Sequence, residues 1–405
     1  MANMSDAHED HRPAGDWPVV DYDITSTRPA GSFFREADEL RERHPFYWNT
    51  LAQGFWTLTR YDAVREAYMR PDVFTSDSFI PTDPEPTYHM LPTQERAPRH
   101  VQIRQLLNPQ FSPGAVATME GLARRHCTEL IDGLVGRGRC DLVRDFGGPF
   151  ATKVFLDWAG LPPEDSPQFV AWVSAVFNDL GDSSTTALQE AMAGIQGYFR
   201  VLLADRRRAP RDPERDIVTH LVQSTIDGEP LSEDELLSIC EVLVLTGLDT
   251  VKQQLGYSFL HLATHPEDRR RLSAEPEVVP LAVEELLRAF SVADPARKVA
   301  EDIEFHGCPM RKGDMVWLPP CTANRDPRVF PRADEVVLDR SPNRHFAFGS
   351  GPHRCQGVHL ARLQMQVALE EWHRRIPEYG LGDDDPILEH GGQFGLEHLP
   401  IAWDL

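Results

Sequence analysis

The sequence of 405 residues lacks the features of several common protein classes. No apolar run approaches the roughly 18 residues that would indicate a membrane-spanning helix. The six cysteines form no C-x-x-C pair, so the sequence indicates neither a zinc site nor a disulfide framework, and it fits a reducing cytoplasm. A net charge of −22 argues against nucleic-acid binding, which uses a basic surface. We therefore expect a cytoplasmic protein without membrane or nucleic-acid partners.

Linkers rich in glycine and serine, low-complexity tracts and internal repeats are also lacking, although this length could hold two or three average domains. The first residues are polar and acidic, without the basic and then apolar order of a signal peptide. We expect a flexible N-terminal tail over residues 1–29, a single domain over residues 30–405 and a monomer.

The most informative stretch is a glycine-rich loop that runs from Phe348 to Gly357 with the sequence FGSGPHRCQG. A cysteine thiolate such as that of Cys355 is a strong electron donor to haem iron. Gly349 and Gly351 can adopt the positive φ values of a tight loop, and Phe348 can shield the sulfur from water. A lone cysteine is more often a buried, inert residue. The spacing F-x-x-G-x-x-x-C-x-G favours the iron ligand.

This loop resembles the haem-binding loop of the cytochrome P450 family, so the resemblance implies that Cys355 binds the iron of haem b. It also implies a mainly α-helical fold with a minor β region, a triangular prism in which a long central helix lies over the haem. Gln356 departs from the small or apolar residue that is usual after the ligand, and this difference concerns potential and spin state.

A capping box that begins at Ser232 predicts the start of the longest helix, over about residues 232–264. Its middle contains Asp249 and Thr250, which match the acid–alcohol pair of the family and are expected to deliver protons during oxygen activation. Considered alone, the pair could equally satisfy its own helix, because a threonine hydroxyl often bonds a carbonyl one turn earlier. Thr246 is bulkier than the alanine or glycine common at its position in the family.

His100 and Arg104 lie four residues apart, on one face of a predicted helix, where two cationic donors suit a pair of carboxylates. The alternative is a solvated basic face. The resemblance places these two residues, Arg297 and His353 at the haem propionates. Further cofactor contacts are expected from Phe348, Gly349 and Gly357.

Glu285 and Arg288 have the form of the family's E-x-x-R motif, and Arg340 stands where a second arginine completes it. Alone, such a pair is usually a weak surface contact. The resemblance implies a structural brace. It also implies a covering loop over residues 75–98 and a pocket roof over residues 169–184. The expected substrate-pocket residues are Phe79, Ile80, Tyr88, Leu245, Thr246, Val292, Ala293 and Phe394.

The resemblance implies a monooxygenase of the bacterial, camphor-hydroxylase-like type. Such an enzyme inserts one oxygen atom from O2 into a small, mostly apolar organic molecule, such as a terpenoid, lipid or natural product. One alternative is a peroxide-driven peroxygenase or decarboxylase, whose family members lack the acid–alcohol pair of Asp249 and Thr250. The other is a haem-thiolate sensor, which needs no proton relay.

The electron source is expected to be a separate protein, because the sequence has no flavin- or nicotinamide-binding stretch and no cysteine cluster for an iron–sulfur centre. We expect electrons from NAD(P)H through a ferredoxin reductase and an acidic ferredoxin. The residues expected to attract that ferredoxin are Arg99, Arg104, Arg354 and Arg362.

Overall fold

The computed structural model describes residues 15–178, 186–383 and 385–405. Helices dominate these residues, as the resemblance implies, and short strands form the smaller part. Over the described residues the α-helices are α1 (Ser32–Arg43), α2 (Tyr61–Tyr68), α3 (Arg99–Phe111), α4 (Pro113–Ala117), α5 (Glu120–Leu134), α6 (Gly148–Ala159), α7 (Ser166–Asn178), α8 (Thr186–Arg208), α9 (Ile217–Gln223), α10 (Glu233–Thr264), α11 (Pro266–Ala274), α12 (Val279–Ala289), α13 (Pro320–Ala323) and α14 (Val358–Arg375). None of these helices is long and apolar enough to span a membrane.

Within the described residues, the strands lie in five small sheets. Over the same residues they are β1 (Val19–Val20), β2 (Arg28–Pro29), β3 (Phe46–Asn49), β4 (Phe55–Leu58), β5 (Phe74–Thr75), β6 (Arg139–Asp141), β7 (Thr225–Ile226), β8 (Glu229–Pro230), β9 (Ala296–Val299), β10 (Ile303–Phe305), β11 (Cys308–Met310), β12 (Met315–Trp317), β13 (Gly380–Leu381), β14 (Leu388–His390), β15 (Gly395–Leu396) and β16 (Pro400–Ala402).

The longest helix is α10, with 32 residues, or about 48 Å at 1.5 Å per residue. Its start matches the predicted capping box: the N–H of Glu235 donates to the Ser232 hydroxyl (3.2 Å), and the N–H of Ser232 donates to the Glu235 carboxylate (2.8 Å). The helix packs against α6, α7, α8 and α14. Because neighbours surround it, α10 is the central helix of the fold.

Gly247 lets α10 lie close to α6. A Cβ atom at Gly247 would stand 2.7 Å from two ring carbons of Phe155, which is buried. The helix runs on through this position without a break. A glycine is therefore needed here for close packing between the two helices.

The largest sheet has the strand order β1-β3-β4-β12-β9-β5. Strand β12 pairs parallel with β4 and antiparallel with β9, where Val316 lies opposite Arg297. Trp48 and Trp56 face each other across β3 and β4, and their rings meet edge to face at 5.2 Å. This sheet fixes the position of Arg297, one of the expected cofactor-binding residues.

The segment expected to be a flexible tail includes two paired strands. In β1, Val19 lies opposite Trp48, and in β2, Arg28 lies opposite Glu389. Backbone hydrogen bonds therefore hold part of the stretch 15–29 to the sheets, contrary to the expectation for these residues. Residues 1–14 lie outside the described residues, as do residues 179–184 of the expected pocket roof.

Candidate functional site

The loop that carries Cys355 is closed by its own backbone. Gly349 and Gly351 have φ values of 65° and 69°, in the left-handed region that favours glycine. A Cβ atom at Gly351 would lie 2.3 Å from the carbonyl oxygen of Tyr68. The N–H of Cys355 donates to the carbonyl of Phe348 (2.9 Å). The two glycines thus let the chain turn tightly beneath the sulfur.

Cys355 retains accessible surface as a residue, yet protein atoms surround its thiol closely. Burial has the largest effect and raises the pKa of Cys355 above its ordinary value, and the N–H of Gly357 and the charges of Arg104, Arg354 and Arg362 offset part of this rise. The hydrogen bond and the three guanidinium groups favour the thiolate, which is the form of cysteine that binds a metal.

Gly357 is not needed to avoid a clash with other protein atoms. Its φ is −78°, and a Cβ atom there would meet its nearest neighbours at ordinary distances, 3.8 Å from Phe111 and 3.9 Å from the Cys355 sulfur. Protein packing alone does not require glycine at this position. Gly357 acts on the sulfur through its N–H group.

Four basic side chains lie together beside this loop: His100 and Arg104 on α3, Arg297 on β9 and His353. The two histidine rings are in contact, with centroids 3.9 Å apart and planes tilted by 30°. Burial, followed by the charges of Arg104 and Arg297, lowers the pKa of His100 to about 4. Burial, followed by Arg297, His100 and Arg104, lowers the pKa of His353 to about 3. The four groups therefore act on one another electrostatically.

This basic cluster has no acidic counterpart in the described ranges, where none of its four members forms an ion pair. Arg297 is 7% exposed, and its guanidinium donates to the carbonyl of Ala296 (2.7 Å). A buried guanidinium without an anion is costly, and its planar donors suit carboxylates. The two propionates of haem fit this cluster, and the Cys355 sulfur fits the iron.

Asp249 and Thr250 lie on different sides of α10, because adjacent helical residues do not face each other. The Thr250 hydroxyl donates to the carbonyl of Thr246 (2.9 Å). The buried carboxylate of Asp249 accepts from the side-chain amide of Gln393 (2.7 Å) and pairs with Lys252. The structure does not bring the expected acid and alcohol into contact.

Sequence reasoning missed these partners of Asp249. Lys252 lies three residues along the same helix, a spacing that indicates a contact and could have been recognised. Gln393 lies 144 residues away and gives no local signal. Another missed group is Asp294: burial raises the pKa of its carboxyl well above the ordinary value, and its Oδ2 atom lacks a hydrogen-bond partner within the described part of the chain.

The expected pocket residues differ in exposure. The residues that retain accessible surface are Phe79, Ile80, Tyr88, Thr246 and Ala293. The residues that are buried are Leu245, Val292 and Phe394. The ring of Phe394 packs against Phe33 at 4.7 Å and is 1% exposed, so it belongs to the core. Its backbone N–H donates to the carbonyl of Val292 (3.0 Å). Phe394 therefore packs within the core, and its place in the substrate pocket stays a prediction.

Tyr88 lies in the expected covering loop, residues 75–98, and its side chain ends in a hydroxyl group. Its ring meets that of Phe79 at 6.5 Å. Its hydroxyl is buried, and no partner bonds to it among the residues that the structure describes. Burial, followed by the nearby charge of Asp83, raises the pKa of Tyr88, although Asp83 forms no hydrogen bond of ordinary geometry with it. The hydroxyl is thus protonated and able to donate.

Glu285, Arg288 and Arg340 form a buried network. Glu285 pairs with Arg288 (2.8 Å) and with Arg340 (2.9 Å), and Glu285 and Arg288 have no exposed side-chain surface. Arg288 also donates to the carbonyls of Asn324, Ala333 and Glu335. These contacts tie α12 to the chain before the Cys355 loop. The trio is therefore placed as a structural brace, in which both guanidinium groups pair with the one carboxylate of Glu285.

The four arginines expected to attract a redox partner are not equivalent. Arg99 pairs with Glu235, and Arg362 forms two 2.6 Å hydrogen bonds to Glu284. Arg354 is exposed and has no ion pair over the described ranges. The expected patch is therefore weakened at two of its four positions, because nearby carboxylates neutralise those charges.

Comparisons with known proteins show the family to which this chain belongs. The family model for cytochrome P450 matches residues 164–374. The protein named "Probable cytochrome P450 127A1" of Sinorhizobium fredii is 35% identical over 87% of this chain and 84% of its own length. The steroid C26-monooxygenase of Mycobacterium tuberculosis is 31% identical over 96% of this chain and 98% of its own length. The crystal structure of CYP101J2 has a TM-score of 0.86 and 29% identity, over 96% of this chain and 97% of that one. This chain therefore belongs to the cytochrome P450 family, as a monooxygenase of the bacterial type with haem b as its cofactor.

Proposed function

We propose that Cys355 is the iron ligand of this monooxygenase and that His100, Arg104, Arg297 and His353 bind the haem propionates. One observation carries the proposal: a basic cluster without counter-charges lies beside a loop whose N–H and neighbouring guanidinium groups favour a thiolate. When bound, haem supplies the redox chemistry that activates O2 and transfers one oxygen atom to the substrate.

Asp249 and Thr250 have separate roles in this proposal. The Thr250 hydroxyl, on a partly accessible side of α10, holds one proton and orients it. Asp249 pairs with Lys252 on the same helix, and the Lys252 side chain is 15% exposed. A proton passes between Asp249 and Thr250 when the Asp249 carboxylate rotates away from Gln393, or it passes through an intervening water.

The proposed substrate is a small, mostly apolar molecule of the lipid, terpenoid or natural-product kind that carries one oxygen atom. The apolar side chains of Phe79, Ile80 and Ala293 supply its contact surface, and the free hydroxyl of Tyr88 supplies one hydrogen bond. The name of one relative, a steroid C26-monooxygenase, supports a largely apolar substrate.

The proposed electron donor is an acidic ferredoxin, reduced by NAD(P)H through a ferredoxin reductase. Arg354 is the exposed cation next to the sulfur that such a partner would meet. All six cysteines are free thiols, which fits a reducing compartment such as the cytoplasm.

Turnover experiments test this proposal and separate it from the peroxide-driven alternative. The haem-loaded enzyme is given NAD(P)H, a ferredoxin reductase, a ferredoxin and isotopically labelled O2, with a panel of steroids and terpenoids that shift its ferric absorption band. We expect one labelled oxygen atom in the product and little product with hydrogen peroxide alone. Product formed with peroxide but not with the electron-transfer proteins would contradict the proposal.

A further inference from the structure

Gln356, directly after Cys355, bridges the cysteine loop and helix α3. The side chain is half-buried. Its amide nitrogen donates to the carbonyl oxygen of Arg104 (3.1 Å) and to the Oδ1 atom of Asn108 (3.1 Å). Because both amide hydrogens reach α3, the side chain ties the loop to that helix.

The face of α3 that meets the loop also carries two of the basic groups. His100, Arg104 and Asn108 are spaced four residues apart and so lie along one side of the helix. The ring of His353 contacts that of His100 at one end of this face, and Gln356 bonds to the face further along. The loop is thus held to α3 on both sides of the Arg104 side chain, whose charge acts on the sulfur.

The tie made by Gln356 lies in a weak part of α3. Pro109 stands inside the last turn and has no N–H, so this turn lacks one backbone hydrogen bond. Leu107 is the last buried residue of the helix. Core packing and backbone hydrogen bonds stabilise this last turn less than the other turns of α3. The two hydrogen bonds from Gln356 therefore add stabilisation where the helix has least of it.

We propose that Gln356 is a positioning residue that fixes the distance between the Cys355 sulfur and the basic face of α3. The inference rests on the proposed ligation of the iron by Cys355. Positive charge beside a thiolate ligand draws electron density from it and favours the reduced metal. When the tie is lost, the end of α3 moves away from the sulfur, and the ferric state becomes relatively more stable.

The test compares reduction potentials of haem-loaded variants. Gln356→Met keeps the length of the side chain and removes both donors, and Asn108→Ala removes one acceptor at an exposed position. We expect Gln356→Met to shift the one-electron equilibrium toward the ferric state about threefold, which is about 28 mV. Asn108→Ala should shift it less in the same direction. The double variant should match Gln356→Met, because the second change removes a bond already lost.

The matched control is Gln102→Leu, because Gln102 lies on the same helix and its amide donates to Asp227 (3.0 Å) away from the loop. Its potential should equal that of the wild type. An unchanged potential in Gln356→Met, or shifts that add in the double variant, would overturn the inference. If Gln356→Met does not fold, an unchanged potential in Asn108→Ala overturns it. Failure of the ligation itself is seen separately, in the absorption of the reduced carbon monoxide complex of the wild type.

Discussion

At the residue scale, the separation of Asp249 from Thr250 changes how the two side chains are expected to act. Thr250→Ala removes the hydroxyl that bonds to the carbonyl of Thr246. We expect product formed per NAD(P)H to fall by about one to two orders of magnitude, with peroxide or water formed instead, because a proton is no longer delivered in place. Substrate affinity, measured by the ferric absorption shift, should change little.

Asp249→Asn should also lower the product formed per NAD(P)H. The neighbours Lys252 and Gln393 remain, but the carboxamide cannot take up and release a proton as the carboxylate does. The control is Thr264→Ala, because the Thr264 hydroxyl makes the same kind of bond to a carbonyl at the end of the same helix. Unchanged coupling in both site variants would contradict the proposed proton route.

Tyr88 is expected to recognise an oxygen atom of the substrate, because its buried hydroxyl finds no partner within the described residues. Tyr88→Phe should weaken binding of an oxygenated substrate by roughly 0.5 to 1.5 kcal/mol and loosen regioselectivity. Binding of the matching hydrocarbon should stay the same or improve. Equal losses for both ligands would show that the ring packs against the substrate without a hydrogen bond.

The histidine pair predicts a pH dependence of stability in haem-free protein. The folded pKa of His100, about 4, lies below its ordinary value of 6.5, so the unfolded chain binds more protons between these values. Stability should therefore fall as pH drops from 6.5 toward 4, by roughly 1 to 3 kcal/mol for this group. His353 adds to the loss in the same direction, down to about 3.

Urea unfolding across this pH range measures the effect. His100→Gln should flatten the slope, whereas His89→Gln, at an exposed histidine, should leave it unchanged. Haem-loaded protein should show a smaller slope, because anionic propionates favour protonated histidine. Equal slopes in the wild type and His100→Gln would contradict the proposed origin of the pH dependence.

At the scale of elements, the Glu285 network is expected to hold α12 and the segment before the cysteine loop together. Glu285→Gln leaves the fully buried guanidinium of Arg288 without its anion, so we expect a loss of about 3 to 5 kcal/mol in unfolding free energy. Glu39→Gln, which breaks an exposed pair with Arg43, should cost less than about 1 kcal/mol. Comparable losses for the two variants would show that the buried network is no special brace.

Several elements could be predicted because their signals are local. The capping box at Ser232 sets the start of α10, and the glycine spacing around Cys355 sets the loop. What could not be predicted depends on residues distant in sequence. The carboxylate of Asp249 accepts a hydrogen bond from Gln393, 144 residues away. The charge of Arg99 is neutralised by Glu235, 136 residues away. Periodicity and motif spacing carry no information about such contacts.

At the scale of the whole molecule, the fold brings one thiol and four basic groups from separate parts of the chain to one place. Helix α3 contributes His100 and Arg104, β9 contributes Arg297, and the loop before α14 contributes His353 with Cys355. The resemblance implies this set residue by residue, and the structure places its members together without a described carboxylate to balance the charge. In our proposal, a cofactor with two carboxylates and one metal completes the arrangement.

Ligation of the iron by Cys355 is the central claim, and the absorption spectrum of the dithionite-reduced carbon monoxide complex tests it most directly. Freshly purified wild-type protein should absorb at about 450 nm, because Cys355 would supply a thiolate ligand to the haem iron. Cys355→Ala should lose this band, whereas Cys321→Ala, at a buried cysteine on α13, should keep it. A stable band at about 420 nm in the fresh wild type, or a band at about 450 nm in Cys355→Ala, would contradict the claim.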